Sequence, residues 1–171
     1  MKNLILLFGV IMVLTFVSCH KKDVLDGNVV NDAALVENLL KKAKDTVTVN
    51  NQKLTLETEL YRNFFPGDAY HRNTRLTASV YVVNTDSTTV TNQITGLKLY
   101  VINQNDIWIS EPENRSNEIT TQYQYKLYYL SLNGPKWDTG ITVDVVISLT
   151  DLSDNTEKYL IARNQRIERI E

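Results

Sequence analysis

The chain is poor in the residues that cross-link a fold, break a strand or carry much of enzyme chemistry. Its 171 residues include one cysteine, three prolines, six glycines and two histidines. A single cysteine, Cys19, excludes any disulfide within the chain, so the fold rests on its core. Scarce glycine and proline exclude a collagen-like or low-complexity chain. With only His20 and His71, no His-Glu-x-x-His string exists, and no clustered ligand set for catalytic zinc can be read. A Gly-x-Ser-x-Gly nucleophile elbow is also missing. The net charge of −2 gives no electrostatic footprint for DNA or RNA.

Only one long apolar run occurs, Leu4 to Val17, interrupted by Gly9 and Thr15 and preceded by Lys2. A membrane-spanning helix needs roughly 20 apolar residues, whereas this run has the length of a signal-peptide core. Phe16-Val17-Ser18-Cys19 follows, a small residue directly before the cysteine, and then the polar stretch His20-Lys21-Lys22-Asp23. Over about the first 20 residues this resembles the lipobox of bacterial lipoproteins, with Phe16 standing where that family usually has leucine. The resemblance implies that residues 1–18 are removed, that the Cys19 thiol receives a diacylglyceryl group, and that the new amino terminus is acylated. Each buried methylene of such chains contributes ~0.8 kcal/mol, so two or more chains anchor stably. His20 is not the aspartate tied to inner-membrane retention in some members, which implies the outer membrane. Loss of residues 1–18 removes Lys2 and no acid, moving the net charge from −2 to −3.

Residues 19–30 lack a sustained apolar period and read as a tether. Beyond them, residues 31–171 have the length of one domain. Asn31 or Asp32 can cap a helix in which Leu35, Val36, Leu39, Leu40 and Ala43 share a face, with Lys41, Lys42 and Lys44 near its end. Such a helix packs on a sheet more readily than on a membrane, because its basic residues sit at one end.

From Thr46 the period becomes two. Thr46–Val49 and Leu54–Leu60 flank the turn Asn50-Asn51-Gln52. In the second of these, Leu54, Leu56 and Leu60 face one way and Glu57, Glu59 and Tyr61 the other. Similar segments follow at Leu76–Val83, Leu97–Ile102, Ile107–Ser110, Thr121–Leu132, Ile141–Thr150 and Lys158–Ala162. The expected fold is therefore mainly β, an antiparallel sandwich of about eight strands with one amphipathic helix before it. The pattern resembles immunoglobulin-like and fibronectin-type sandwiches, without the cysteine pair of antibody domains. Fold analogy of this kind carries no function.

Candidate sites are few. Asp68-Ala69-Tyr70-His71 can orient an imidazole, but no serine is marked as its nucleophile. Asp151, Asp154, Asn155 and Glu157 crowd one turn without the EF-hand pattern, as a solvated turn does. Glu57 and Glu59 lie about 7 Å apart along one strand face, a spacing open to paired-carboxylate hydrolysis and equally to an ordinary soluble strand face. Tyr123, Tyr125, Leu127 and Tyr129 alternate on one face with Tyr128 opposite, and Trp108 and Trp137 lie in or beside turns. Exposed aromatic rings stack on sugars or anchor protein partners, while strand tyrosines also cover cores. Trp137, Trp108, Tyr123, Tyr125 and Tyr129 are thus the candidate contact residues. Thr58 to Pro66 and Gly134-Pro135-Lys136-Trp137 are distinctive strings to which the sequence attaches no chemistry.

The expectation is an envelope lipoprotein, held in the membrane through lipid on Cys19, that binds or scaffolds a protein or glycan without catalysing a reaction. The alternative is a hydrolase using carboxylates such as Glu57, Glu59 or Asp144. No cofactor or metal is implied.

Overall fold

The computed structural model describes residues 28–65, 74–90, 93–118 and 123–171. Cys19, His20, Asp68 and His71, and with them the signal-peptide and triad readings, lie outside these residues.

The helix forms where its periodicity places it. Helix α1 spans Ala33–Lys42, and the Asp32 side chain caps it by accepting from the Leu35 N–H at 3.0 Å. Lys41 and Lys42 occupy the last turn, where cations complement the helix dipole. Its apolar face buries Leu39 and Ala43 against Ile102, Ile107, Val146 and Ile161, so the helix covers the outer side of the sheet. Two backbone bonds at Lys44 then tie the helix exit to Tyr159 and Ile161.

Ten strands lie among the described residues. They are β1 Val29–Asn31, β2 Val47–Val49, β3 Gln52–Asn63, β4 Leu76–Asn84, β5 Ile94–Asn103, β6 Asp106–Ser110, β7 Glu113–Asn114, β8 Lys126–Ser131, β9 Thr142–Asp151 and β10 Thr156–Ile170. They make one sheet in the order β1-β6-β5-β9-β10-β3-β4-β8-β7, with β2 added on β3. Val29 is 1 % exposed and pairs with Trp108, so the sheet begins inside the segment 19–30 that reads as tether. A three-residue strand is too short to show a period, and only its partner reveals it.

Antiparallel pairing alone does not describe this sheet. Ile167–Ile170 of β10 run parallel to Leu60–Asn63 of β3. β10 also carries a bulge between Ala162 and Gln165, where Asn164 takes φ 55° and its N–H donates to Asp144 Oδ1 at 2.9 Å. A bulge bends and twists its strand. Here the first part of β10 pairs along β9, and its end runs beside β3. The result is one curled, mixed sheet with two arms, β5-β6-β9 and β3-β4-β8. Their inner residues, including Leu54, Leu56, Val80 and Val82 from one arm and Leu99, Val101, Val145 and Ile147 from the other, form one core.

The two distinctive strings meet at the end of β3. Arg62 donates through Nε to the Thr74 carbonyl at 3.0 Å and through Nη1 to the carbonyls of Lys136 and Trp137 at 3.2 and 2.9 Å. Phe64 lies under both Arg62 and Arg169, at 5.1 and 4.1 Å from ring centre to guanidinium carbon. Gly134 has a packing role: a Cβ there would stand 2.8 Å from the Trp108 ring.

Candidate functional site

Alternation along β3 sends Leu54, Leu56 and Leu60 inward and leaves Glu57, Glu59 and Tyr61 on the outer face. The register then sets what stands beside them. Glu57 pairs with Tyr81 and Tyr81 with Tyr128, while Glu59 pairs with Ser79. A row of carboxylate, phenol and phenol therefore crosses β3, β4 and β8 on the face turned away from the core.

Side-chain contacts make this row one cluster. The Tyr81 and Tyr128 rings stack with centroids 5.0 Å apart and planes 16° from parallel. Ser79, buried at this face, shares a hydrogen bond of 3.4 Å between its hydroxyl and that of Tyr128. Lys126 Nζ donates to Glu57 Oε2 at 2.5 Å and lies 5.7 Å from the Tyr81 ring centre and 5.6 Å from that of Tyr125. Tyr123 is 42 % exposed, with its ring centre 6.1 Å from that of Tyr125. Glu57, Glu59, Tyr81, Glu118, Tyr123, Lys126 and Tyr128 together line an open groove of about 540 Å³.

The electrostatics follow from these neighbours. Burial raises the Tyr81 phenol above its ordinary pKa, and the charge of Glu59 adds to the rise. Burial does the same to Tyr61, with Tyr128 and Glu59 adding. Both phenols stay protonated at neutral pH and keep a hydroxyl to donate. The hydrogen bond to Glu57 raises Lys126, which stays cationic. Glu118 is engaged from the side by Arg115 Nη1 at 2.6 Å. The surface thus offers carboxylate acceptors, phenol hydroxyls and one ammonium within one groove.

The aromatic candidates divide. Trp108 is 2 % exposed and Tyr129 7 % exposed, and both belong to the core, so neither presents a ring to a partner. Trp137 is half-buried against the same core, with its carbonyl held by Arg62. Tyr123 and Tyr125 do not continue the alternation of Tyr129, because β8 begins only at Lys126 and residues 123–125 form a turn. That turn is pinned to the end of β4 and the loop beyond it, where Asn84 N–H donates to the Tyr125 carbonyl and Val90 N–H to that of Gln124. The turn brings Tyr123 and Tyr125 to the side of Tyr128, opposite Tyr129.

The acids divide too. Glu57 and Glu59 enter the groove, whereas Asp144 caps the β10 bulge and lies 3.9 Å from Arg163. Asp151 is 1 % exposed and accepts from Lys158 and Ser153, each at 2.6 Å. Asp154 accepts from Thr156, so these carboxylates shape the hairpin. Among the described residues no group of three His, Cys, Asp or Glu side chains stands close enough to hold a metal. Tyr81 and Lys126 escape a strand-by-strand reading. What exposes them is the outward alternation across three strands at once, Glu57-Glu59-Tyr61, Ser79-Tyr81 and Lys126-Tyr128.

A second groove, about 610 Å³, is lined by Lys42, Lys44, Thr46, Val47, Thr48, Glu157, Lys158 and Tyr159. Its groups bind one another: Lys158 holds Asp151 and the Thr48 carbonyl, Tyr159 donates to Glu157, and Lys42 lies over the Tyr159 ring. It serves as the seam between helix exit, β2 and β10, which leaves the β3-β4-β8 face as the candidate site. Comparison with protein-family models, with curated proteins and with solved structures finds no match to this chain.

Proposed function

We propose that the mature protein is a lipid-anchored envelope lipoprotein that acts as a non-enzymatic binding module, with the outer face of β3, β4 and β8 as its ligand surface. The observation that carries this reading is the convergence of Tyr61, Tyr81, Tyr123, Tyr125 and Tyr128 with Glu57, Glu59 and Lys126 on that face. Rings that stack on one another keep their positions before a ligand arrives, and pre-ordered aromatic side chains lower the entropy cost of binding. The anchor rests on the lipobox-like string at Cys19. Nine residues separate Cys19 from Val29, so the tether reaches at most ~35 Å and holds the domain near the bilayer.

The hydrolase alternative draws on Glu57 and Glu59 sharing one groove. A general acid needs a setting that keeps it protonated, usually a buried apolar one. Both side chains are exposed, and Glu57 is ion-paired with Lys126, so the binding reading is the stronger.

Capture of envelope material on the full-length protein tests it. Wild-type protein is expected to retain a partner that is lost with Tyr81→Ala and with Tyr123→Ala, and kept with Tyr159→Phe on the helix side. A partner kept by both face variants, or equal capture by every variant, would sink the reading. Detergent, but not high salt, is expected to release the protein from membranes, and Cys19→Ser to abolish that attachment.

A further inference from the structure

We propose that the ligand of this face is a short oligosaccharide without acidic groups. The inference rests on the binding reading above and names the chemistry of its ligand.

Size comes first. A groove of about 540 Å³ falls in the range of small-ligand sites, roughly 300–1,000 Å³. Hydrogen-bonding chemistry comes second. A sugar hydroxyl both donates and accepts, and the groove supplies carboxylate acceptors from Glu57, Glu59 and Glu118, phenol hydroxyls from Tyr81 and Tyr128, and an ammonium donor from Lys126. The Glu59 side chain has no hydrogen bond or ion pair with the described residues, although it stands beside Tyr61 and Tyr81. It is the acceptor left open for a ligand.

The rings give the third argument. Tyr81 and Tyr128 each have one face covered by the other, and Lys126 Nζ lies 5.7 Å from the Tyr81 ring centre. Tyr123 is the exposed ring of the groove, available to stack on the C–H face of a pyranose. Charge then selects among sugars. In the lining three carboxylates face Lys126, and with Arg115 paired to Glu118 the balance is still negative, which disfavours uronates, sulfates and phosphates. Lys126 seated over two tyrosine rings shows that the same surface accommodates an amine, so amino sugars fit as neutral ones do.

Calorimetric titration of the detergent-solubilised full chain tests the proposal with five probes: cellotetraose, the tetramers of N-acetylglucosamine and of glucosamine, tetragalacturonate and tetralysine. We expect binding of at least one of the three non-acidic sugars and none of tetragalacturonate. Tyr123→Ala and Glu59→Gln, both at exposed positions, are expected to weaken it about tenfold each. Far-ultraviolet circular dichroism of each variant checks that it is folded. Binding of tetragalacturonate alone overturns the charge argument, and sugar binding indifferent to both variants overturns the location. Tetralysine as the only ligand overturns the sugar inference and leaves a binding face that takes basic peptides. No binding of any probe, with envelope capture still dependent on Tyr81 and Tyr123, overturns the sugar inference alone, and loss of both results overturns the binding reading as well.

Discussion

At Gly134 the structure needs the absence of a side chain. The Trp108 ring packs so closely that an added Cβ would stand 2.8–2.9 Å from three of its carbons, and both partners are buried. The neighbouring backbone cannot easily yield, because the Gly134 N–H donates to the Leu76 carbonyl and the Leu76 N–H to that of Pro135. Gly134→Ala is therefore expected to destabilise the fold by about 1–3 kcal/mol, read as a lower urea midpoint with an unchanged slope. Asp151 offers a test by pH. The hydrogen bond from Lys158, with those from Ser153, lowers its pKa from 3.8 to about 2. A carboxyl whose folded pKa lies below its unfolded value stabilises the protein fully above about pH 4, and that contribution fades as pH falls toward 2. Asp154 shifts the same way through Thr156, so Asp151→Asn is expected to flatten acid destabilisation without abolishing it. Urea midpoints at pH 6, 4 and 3 for both proteins measure the difference.

Among the elements, Arg62 at the end of β3 joins three parts of the chain that are distant in sequence. Its guanidinium satisfies carbonyls of Thr74, Lys136 and Trp137 and the Thr74 hydroxyl, so its removal leaves several acceptors without a donor. Arg62→Ala is expected to cost about 2–3 kcal/mol, with Trp137 emission shifting to the red as its loop loosens. Elements with a period were legible in the sequence. The α1 face, its Asp32 cap and the inward Leu54-Leu56-Leu60 of β3 all stand where spacing put them. The Asn50-Asn51 turn is also where its chemistry suggests, both residues having positive φ between Val49 and Gln52. What was not legible depends on partners. Val29–Asn31 is a strand only because β6 lies beside it, and the parallel run of β10 depends on β3 being placed beside its end, which the pattern of β10 alone does not announce.

For the whole molecule, the same distinction explains the candidate site. Inside-outside alternation separates Glu57, Glu59 and Tyr61 from the core, but the neighbours of those residues are fixed by register between strands. Register aligns Glu57 with Tyr81 and Tyr81 with Tyr128, and the turn before β8 carries Tyr123 and Tyr125 to the same side. Trp108 and Tyr129 went the other way, into the core between the arms. Curling of the sheet gives each arm one inner face for stability and one outer face. On the β5-β6-β9 arm the helix covers the outer face; on the β3-β4-β8 arm the tyrosine and carboxylate groove occupies it.

The most direct test of that assignment is hydroxyl-radical footprinting of tyrosines, read by mass spectrometry, on the full-length protein with and without solubilised envelope. Tyr61, Tyr81, Tyr123 and Tyr128 are expected to be protected by the ligand, while Tyr100 and Tyr159, beside the helix, keep their reactivity. Protection at Tyr100 and Tyr159 with Tyr61, Tyr81, Tyr123 and Tyr128 unchanged would contradict the account and move the binding surface to the helix side.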